Sequence, residues 1–176
     1  MRAPPLNLLL THLSLPLSLS QCKTLCLENT RAREPVGPFA PEALAALPPP
    51  QRAALARFFL VVVQYSARLD TEALAKGLRA LAGGAAPGKA FNMRLACEDD
   101  AIGLTGYQHN AVTPVGVPGV ADGSVPLILA AAITALRPPI FWMGGGEVDL
   151  KLGVGTAQFV AGYAPIVMGV TVPEEV

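Results

Sequence analysis

Residues 57–65 (RFFLVVVQY) form an almost unbroken run of aromatic and β-branched side chains. A run of this kind, without alternating polar positions, predicts a strand that is buried on both faces. Such a strand belongs in the interior of a sheet, so other elements must cover it from above and below. We therefore expect the chain to fold around this segment.

Segments on either side predict the rest of a sheet and its helices. Residues 22–28 (CKTLCLE) alternate in the manner of a strand with two distinct faces. Asp70 is suited to cap a helix that ends near Leu81, before Gly83 and Gly84. Further strands are expected at 91–96, 125–130, 140–143, 148–152 and 166–172. A helical turn is expected at 98–104, a short helix or turn at 131–136, a short helix at 156–162 and a tight turn at 144–146.

Together these elements predict a mixed α/β (α+β) domain, with six to seven strands in one sheet or open barrel and about three flanking helices. A length of 176 residues suits one domain, and a hydrophobic content of 52% is enough for its core. We assign residues 21–176 to this domain. The proline-rich stretch at about 32–52 is interpreted as a surface insertion, because neither side of it is a whole core.

The leucine-rich residues 1–20 are interpreted separately, as a leader or a poorly ordered start. One positive charge, a short apolar run and small residues at its end are typical of a secretory signal peptide. Cleavage after Ser20 would, however, leave Lys23 close to a frayed N-terminus. Signal peptide, organelle targeting and a poorly ordered start all stay open, while the run is too short for a membrane span.

Charge and cysteine content narrow the classes of function. The formal net charge is zero, whereas proteins that bind nucleic acid unaided usually carry a basic excess. Contact with RNA would therefore depend on a local patch, on the RNA end or on a helper protein. The three cysteines, Cys22, Cys26 and Cys97, include no C-x-x-C pair, which favours buried thiols over a disulfide scaffold or a zinc site.

No common catalytic motif is present. The chain has only two histidines, His12 and His109, and lacks H-E-x-x-H, G-x-S-x-G and a Walker loop. A hydrolase without these motifs must place hydrogen-bond donors around a carbonyl and a water.

Three places in the sequence are candidates for such donors. They are Lys23 within its strand, the loop 110–114 (NAVTP), and residues 144–151, where Asp149 and Lys151 are expected to share one strand face. Each also has an ordinary interpretation, which the pattern alone favours: a solvated lysine, a turn-rich connection, and a hairpin with a surface ion pair.

A resemblance to a known family changes this balance. The stretches that carry it are CKTLCLENTR (22–31), FFLVVVQYSARLD (58–70), FNMRLA (91–96), LTGYQHNAVTPVG (104–116) and FWMGGGEVDLKLG (141–153). In order and wording they resemble the YbaK/aminoacyl-tRNA synthetase-associated domain, which also occurs inserted in bacterial prolyl-tRNA synthetases. The resemblance runs from about Cys22 to Val172 and is greatest to eukaryotic stand-alone members.

The resemblance implies a mixed sheet wrapped by helices and an aminoacyl-tRNA deacylase that hydrolyses the ester of mischarged tRNA in trans. It implies no metal and no cofactor, and a cytoplasmic protein. The implied partners are the 3′ end of mischarged aminoacyl-tRNA and an aminoacyl-tRNA synthetase, with no membrane, in a monomer or weak dimer.

The resemblance also implies roles for individual residues. The family's lysine matches Lys23, whose ammonium would hold the terminal phosphate or the carbonyl region, and the backbone N–H near Ala111 would help to stabilise the oxyanion. The family loop usually begins with Gly; Asn110 stands there, and Asn tolerates left-handed backbone better than most residues. The implied substrate-binding residues are Thr24, Asn110, Val112, Thr113, Pro114, Gly144, Gly145, Gly146 and Asp149.

Two other classes of function stay open. Family members carry a helix and a strand before the lysine strand, as one wall of the amino-acid pocket, and residues 1–20 do not resemble them. This departure is compatible with a catalytically inactive module that binds tRNA or a synthetase. A secreted small-ligand binder is the third class, if residues 1–20 are a signal peptide.

Overall fold

The computed structural model describes residues 20–173, so the interpretation of residues 1–19 lies outside the described residues. Within the described range the chain forms nine strands and seven α-helices. The strands are β1 (Cys22–Asn29), β2 (Phe58–Gln64), β3 (Ala67–Leu69), β4 (Met93–Leu95), β5 (Leu127–Ala130), β6 (Ile140–Gly144), β7 (Lys151–Gly155), β8 (Ile166–Met168) and β9 (Thr171–Pro173).

The α-helices are α1 (Pro41–Ala45), α2 (Pro49–Ala54), α3 (Thr71–Ala82), α4 (Glu98–Thr105), α5 (Pro118–Ala121), α6 (Ala131–Thr134) and α7 (Thr156–Tyr163). Only α3, α4 and α7 have eight residues or more in the described part of the chain, which agrees with the expectation of about three helices; the helix or turn expected at 131–136 is the four-residue α6. Three-residue 3-10 helices lie at Thr30–Ala32, Gly37–Phe39 and Gly88–Ala90. Across residues 20–173, no helix is both long and apolar enough to cross a bilayer.

The mixed α+β fold class is confirmed. Five strands form the main sheet in the order β4-β1-β2-β5-β8. The pairs β1–β2 and β1–β4 are antiparallel, whereas β2–β5 and β5–β8 are parallel. Two smaller sheets, β3–β9 and β6–β7, complete the strand pairing among the described residues.

The main sheet is built around β2, as its sequence predicts. Residues 59–63 are fully buried, and the strand has a neighbour on both edges. Helix α3 covers the core with Leu74, Leu78 and Ala82. Its N-cap is Asp70, whose carboxylate accepts from two backbone N–H groups, and it ends at Gly83 in the left-handed conformation (φ 58°).

A buried glutamate near the end of β1 forms two ion pairs with neighbouring segments. The Glu28 side chain is 2% exposed and accepts from the guanidinium groups of Arg33 at 2.7 Å and Arg57 at 2.8 Å. Arg33 lies at the start of the proline-rich stretch, and Arg57 lies immediately before β2. The ion pairs therefore tie both ends of that connection to the main sheet.

Two predictions of strand position are wrong. The strand expected at 148–152 runs instead over Lys151–Gly155, because a wide turn intervenes: the N–H of Gly145 donates to the carbonyl of Leu150 at 2.9 Å. Asp149 lies in that turn and shares no strand face with Lys151. The closing strand expected at 166–172 is divided into β8 and β9, which belong to different sheets.

Candidate functional site

The N-terminal half of β1 borders the candidate site. In the β1–β2 pairing, Tyr65 donates to the carbonyl of Gln21 and Asn29 donates to that of Arg57. Odd-numbered residues of β1 therefore bond to β2, and even-numbered residues direct their backbone groups to the opposite edge. On that edge, Gln21 forms a β-bridge with Trp142 of β6. Pairing with the β4 side begins only at Cys26, whose carbonyl accepts from the N–H of Ala96.

Thr24 lies in the interval between those two neighbours on the β1 edge. Its backbone N–H and C=O groups face this opening by the alternation of the strand. Its hydroxyl is buried and has no hydrogen-bond partner among the described residues. A buried donor without a partner is costly, which is typical of a group that bonds to a ligand.

A cavity of about 280 Å³ opens at this edge. Strand β1, helix α4, the loop that follows α4 and the β6–β7 connection surround it. The lining residues are Cys22, Lys23, Thr24, Leu25, Cys26, Tyr65, Leu95, Ala96, Glu98, Ala101, Ile102, Tyr107, His109, Asn110, Val112, Gly144 and Lys151.

Lys23 extends from the middle of this β1 segment and is half-buried. Its ammonium lies 5.5 Å from the centre of the Tyr65 ring, which is close enough for a cation–π interaction. The backbone on either side of Lys23 is held in place, because the side chains of Cys22 and Thr24 are buried on the opposite face of the strand. The charged group is therefore delivered to the cavity from a rigid element.

The loop at 106–116 follows helix α4 and is held by its own hydrogen bonds. The Tyr107 hydroxyl donates to the carbonyl of Val115 at 2.6 Å. Asn110 adopts a left-handed conformation (φ 67°), which agrees with the expectation that the turn survives without glycine. Thr113 is fully buried, and Pro114 is buried beside it.

The N–H of Ala111 is occupied inside this loop. It donates to the carbonyl of Gln108 at 3.0 Å, and the Ala111 side chain is buried. An oxyanion contact from this N–H would require that hydrogen bond to open. The neighbouring Val112, by contrast, lines the cavity directly.

The triple glycine permits the loop and the β6–β7 connection to pack closely. A Cβ on Gly144 would lie 3.3 Å from the carbonyl oxygen of Val112, and one on Gly146 would lie 2.8 Å from the Tyr107 ring. Gly146 also has a φ of 98°, a conformation that side-chain-bearing residues rarely adopt. Gly145 lies against Leu150 in the wide turn.

The structure thus brings together part of the set expected from the sequence. Five expected residues line one cavity: Lys23, Thr24, Asn110, Val112 and Gly144. Six others lie outside that lining: Ala111, Thr113, Pro114, Gly145, Gly146 and Asp149.

Sequence reasoning missed several residues of the cavity. The sequence pattern pairs Lys151 with Asp149 and places Tyr65 at the end of a strand. In the structure both side chains line the cavity. Tyr107 and His109 also line it, and both lie in the stretch LTGYQHNAVTPVG. A histidine inside that stretch was an available signal, because a hydrolase without a motif still needs a proton acceptor.

The two cysteines of the cavity are unsuited to act as nucleophiles. Burial raises the pKa of the Cys22 thiol to about 12. Burial, followed by the negative charge of Asp100, raises the pKa of Cys26 to about 11. Both thiols therefore stay protonated at neutral pH, when only a thiolate attacks efficiently. Within residues 20–173, no three His, Cys, Asp or Glu side chains cluster as metal ligands.

Comparisons with known proteins give the fold but not a family. Neither a family model nor a curated protein sequence matches the chain. A crystal structure described as a candidate trans-editing enzyme for prolyl-tRNA synthetase is similar, with a TM-score of 0.60 and 16% identity over 90% of this chain and 73% of that one.

Two further solved structures share this fold. A hypothetical protein is similar with a TM-score of 0.59 and 19% identity, over 88% of this chain and 76% of that one. A candidate signal-transduction protein from Marinobacter aquaeolei VT8 is similar with a TM-score of 0.54 and 14% identity, over 88% of this chain but 25% of that one. Because one fold can serve different functions, these similarities establish the fold of the chain and not its function.

Proposed function

We propose that this chain is an aminoacyl-tRNA deacylase, which hydrolyses in trans the ester that joins a wrong amino acid to tRNA. The observation that carries the proposal is that Lys23, Thr24, Asn110, Val112 and Gly144, distant in sequence, line one cavity. The solved structure described as a candidate trans-editing enzyme for prolyl-tRNA synthetase supports the same reaction. The substrates are mischarged tRNAs, with a synthetase as a second partner.

The size of the cavity fits the reacting part of such a substrate. Its volume of about 280 Å³ lies at the lower limit of ordinary ligand sites. An aminoacyl group is small enough for this volume. In the proposed complex the nucleotide extends over the rim of the cavity.

The chemistry proposed is attack of a water on the ester carbonyl. The new C–O bond gives a tetrahedral oxyanion, which then collapses with release of the ribose oxygen; that oxygen takes up the proton lost by the water. The Lys23 ammonium and the backbone N–H of Thr24, which faces the opening on the β1 edge, are the donors on β1 proposed to stabilise the oxyanion. The Ala111 N–H joins them only if its bond to Gln108 opens.

Water activation is assigned to groups around the loop. The tRNA's own neighbouring hydroxyl helps to position the water, as expected for a site without a motif-type base. His109 lines the same cavity, and an imidazole there can accept a proton from the water.

The first prediction concerns Lys23→Ala. Because one oxyanion donor typically contributes about 3 kcal/mol to the barrier, deacylation should slow by about 100-fold or more. The measurement is the release of labelled amino acid from mischarged tRNA-Pro by the purified protein. Lys89→Ala, at an exposed lysine that does not line the cavity, is the matched control and should retain full activity.

Two outcomes would contradict the proposal. Turnover by Lys23→Ala equal to that of the unaltered protein would exclude a catalytic role for the ammonium. Binding of the tRNA without release of amino acid by the unaltered protein would indicate instead the inactive tRNA-binding module.

Activity that persists in a chelator is expected for a metal-independent reaction.

A further inference from the structure

A second cation and an aromatic ring lie beside Lys23 on the rim of the cavity. Tyr65 follows β2 and exposes 45% of its surface. The ammonium of Lys151, from the β6–β7 sheet, lies 5.7 Å from the centre of the Tyr65 ring, on which the Lys23 ammonium also lies. The three side chains come from separate strands or their ends, and all line the same cavity.

This arrangement brings two like charges to one aromatic ring. Both ammonium groups lie within cation–π distance of the Tyr65 ring, and their mutual repulsion opposes part of the attraction that the ring gives each of them. None of the ion pairs in the described part of the chain includes Lys23 or Lys151. An exposed aromatic ring beside two cations that take part in none of these ion pairs matches the components of a nucleotide, which carries both an anion and a flat base.

We propose that Lys151 and Tyr65 form a nucleotide subsite beside Lys23: Lys151 binds the phosphate and Tyr65 stacks on the base. The inference rests on the proposed function, because the nucleotide is the one that carries the aminoacyl group. Its phosphate and its acylated hydroxyl belong to one ribose. One nucleotide can therefore contact Lys151 at the rim while its ester reaches Lys23 and Thr24 in the cavity.

The subsite also accounts for RNA binding by a chain without net charge. With 13 basic and 13 acidic residues, the overall field attracts no polyanion. Two cations at one place supply a local attraction that is limited to the end of the strand. Stacking on a tyrosine tolerates any base, so the subsite recognises a single-stranded end rather than a sequence.

The test is binding of a short RNA that ends in CCA, labelled with fluorescein at its 5′ end and followed by anisotropy at several salt concentrations. Lys151→Ala should weaken binding by about tenfold and reduce the slope of log affinity against log salt by about 0.7. Tyr65→Ala should weaken binding by about tenfold, whereas Tyr65→Phe, which keeps the ring, should bind within about twofold. Lys89→Ala is the control for an exposed lysine elsewhere and should change neither quantity.

The outcomes separate this subsite from the proposed activity. Unchanged binding by both Lys151→Ala and Tyr65→Ala overturns the subsite, even if the protein deacylates tRNA. Loss of binding in both variants of a protein that releases no amino acid supports the subsite and overturns the activity. Inorganic phosphate and AMP can also be compared as competitors of the RNA. If phosphate competes as strongly as AMP and Tyr65→Ala has no effect, the site binds phosphate alone and the nucleotide assignment is overturned.

Discussion

At the scale of single residues, the Thr24 hydroxyl is the most informative atom of the site. Thr24 lines the cavity, and its hydroxyl oxygen is buried and has no hydrogen-bond partner among the described residues. A folded protein gains nothing from a buried hydroxyl in that state, because the group has lost its water and found no replacement. A ligand that accepts or donates a hydrogen bond there would remove the cost only when bound.

Thr24→Val is therefore expected to separate stability from activity. The change keeps the shape and removes the hydroxyl, so the free energy of unfolding should stay equal or rise by about 1 kcal/mol. Deacylation should fall by about 10- to 100-fold if the hydroxyl bonds to the substrate in the transition state. Urea unfolding and single-turnover release of amino acid measure the two quantities.

Thr156→Val is the matched control for this variant. The Thr156 hydroxyl is also buried without a partner in the described chain, but Thr156 does not line the cavity. Its replacement should change stability in the same direction and leave deacylation unaltered. A Thr24→Val protein that is as active as the control would exclude a substrate contact for this hydroxyl.

At the scale of elements, the site depends on two connections that pack against each other. The loop after α4 is shaped by the Tyr107–Val115 hydrogen bond, and the β6–β7 connection contacts it through glycines. A side chain would meet the least space at Gly146, where an added Cβ would lie 2.8 Å from the Tyr107 ring. The triple glycine therefore serves to position the loop, and of its three residues only Gly144 lines the cavity.

Gly146→Ala should consequently damage the site through the loop. Its Cβ would lie 2.8 Å from Tyr107, so the ring must move and strain its bond to Val115. We expect deacylation to fall at least tenfold. We also expect a loss of stability of about 1–3 kcal/mol, from the positive φ and the clash.

Gly123→Ala separates these two causes. Gly123 has a similar φ of 79°, but a Cβ there would meet no atom within 4 Å. Its stability cost should be about 1 kcal/mol, from the backbone alone, with normal deacylation. Equal activity of the two alanine variants would show that the contact with Tyr107 does not position the loop.

At the scale of the whole molecule, local signals in the sequence were sufficient for the main elements but not for the site. The run 57–65 predicted the central strand because residues 58–63 are all apolar, and Asp70 with Gly83 predicted both ends of α3. The alternation of polar and apolar residues in 148–152 predicted a strand that begins too early. Alternation alone does not show that residues up to Leu150 belong to a wide turn. Tyr65 and Lys151 meet only through the arrangement of two sheets, which no local pattern encodes.

The stability of the whole protein in acid depends on the ionisation of Glu28. Hydrogen bonds from Arg33 first, and then from Arg57, hold the pKa of Glu28 below its ordinary value, against the opposing effect of burial. A carboxylate with a lowered pKa in the folded state stabilises the protein above its unfolded pKa of about 4.3. That stabilisation is lost as the pH falls through the lower, folded value.

Glu28→Gln should therefore lower the free energy of unfolding by about 2 kcal/mol at pH 7, because a neutral amide cannot replace the three charge-assisted hydrogen bonds that the carboxylate accepts from Arg33 and Arg57. The difference from the unaltered protein should shrink in acid below about pH 4, where the unaltered protein loses the same interactions. Urea unfolding from pH 7 down to pH 3 measures both. Glu34→Gln, at an exposed glutamate in the same connection, should leave the pH dependence unchanged. If the difference for Glu28→Gln were constant over this range, ionisation of Glu28 would not be what couples the proline-rich connection to the sheet.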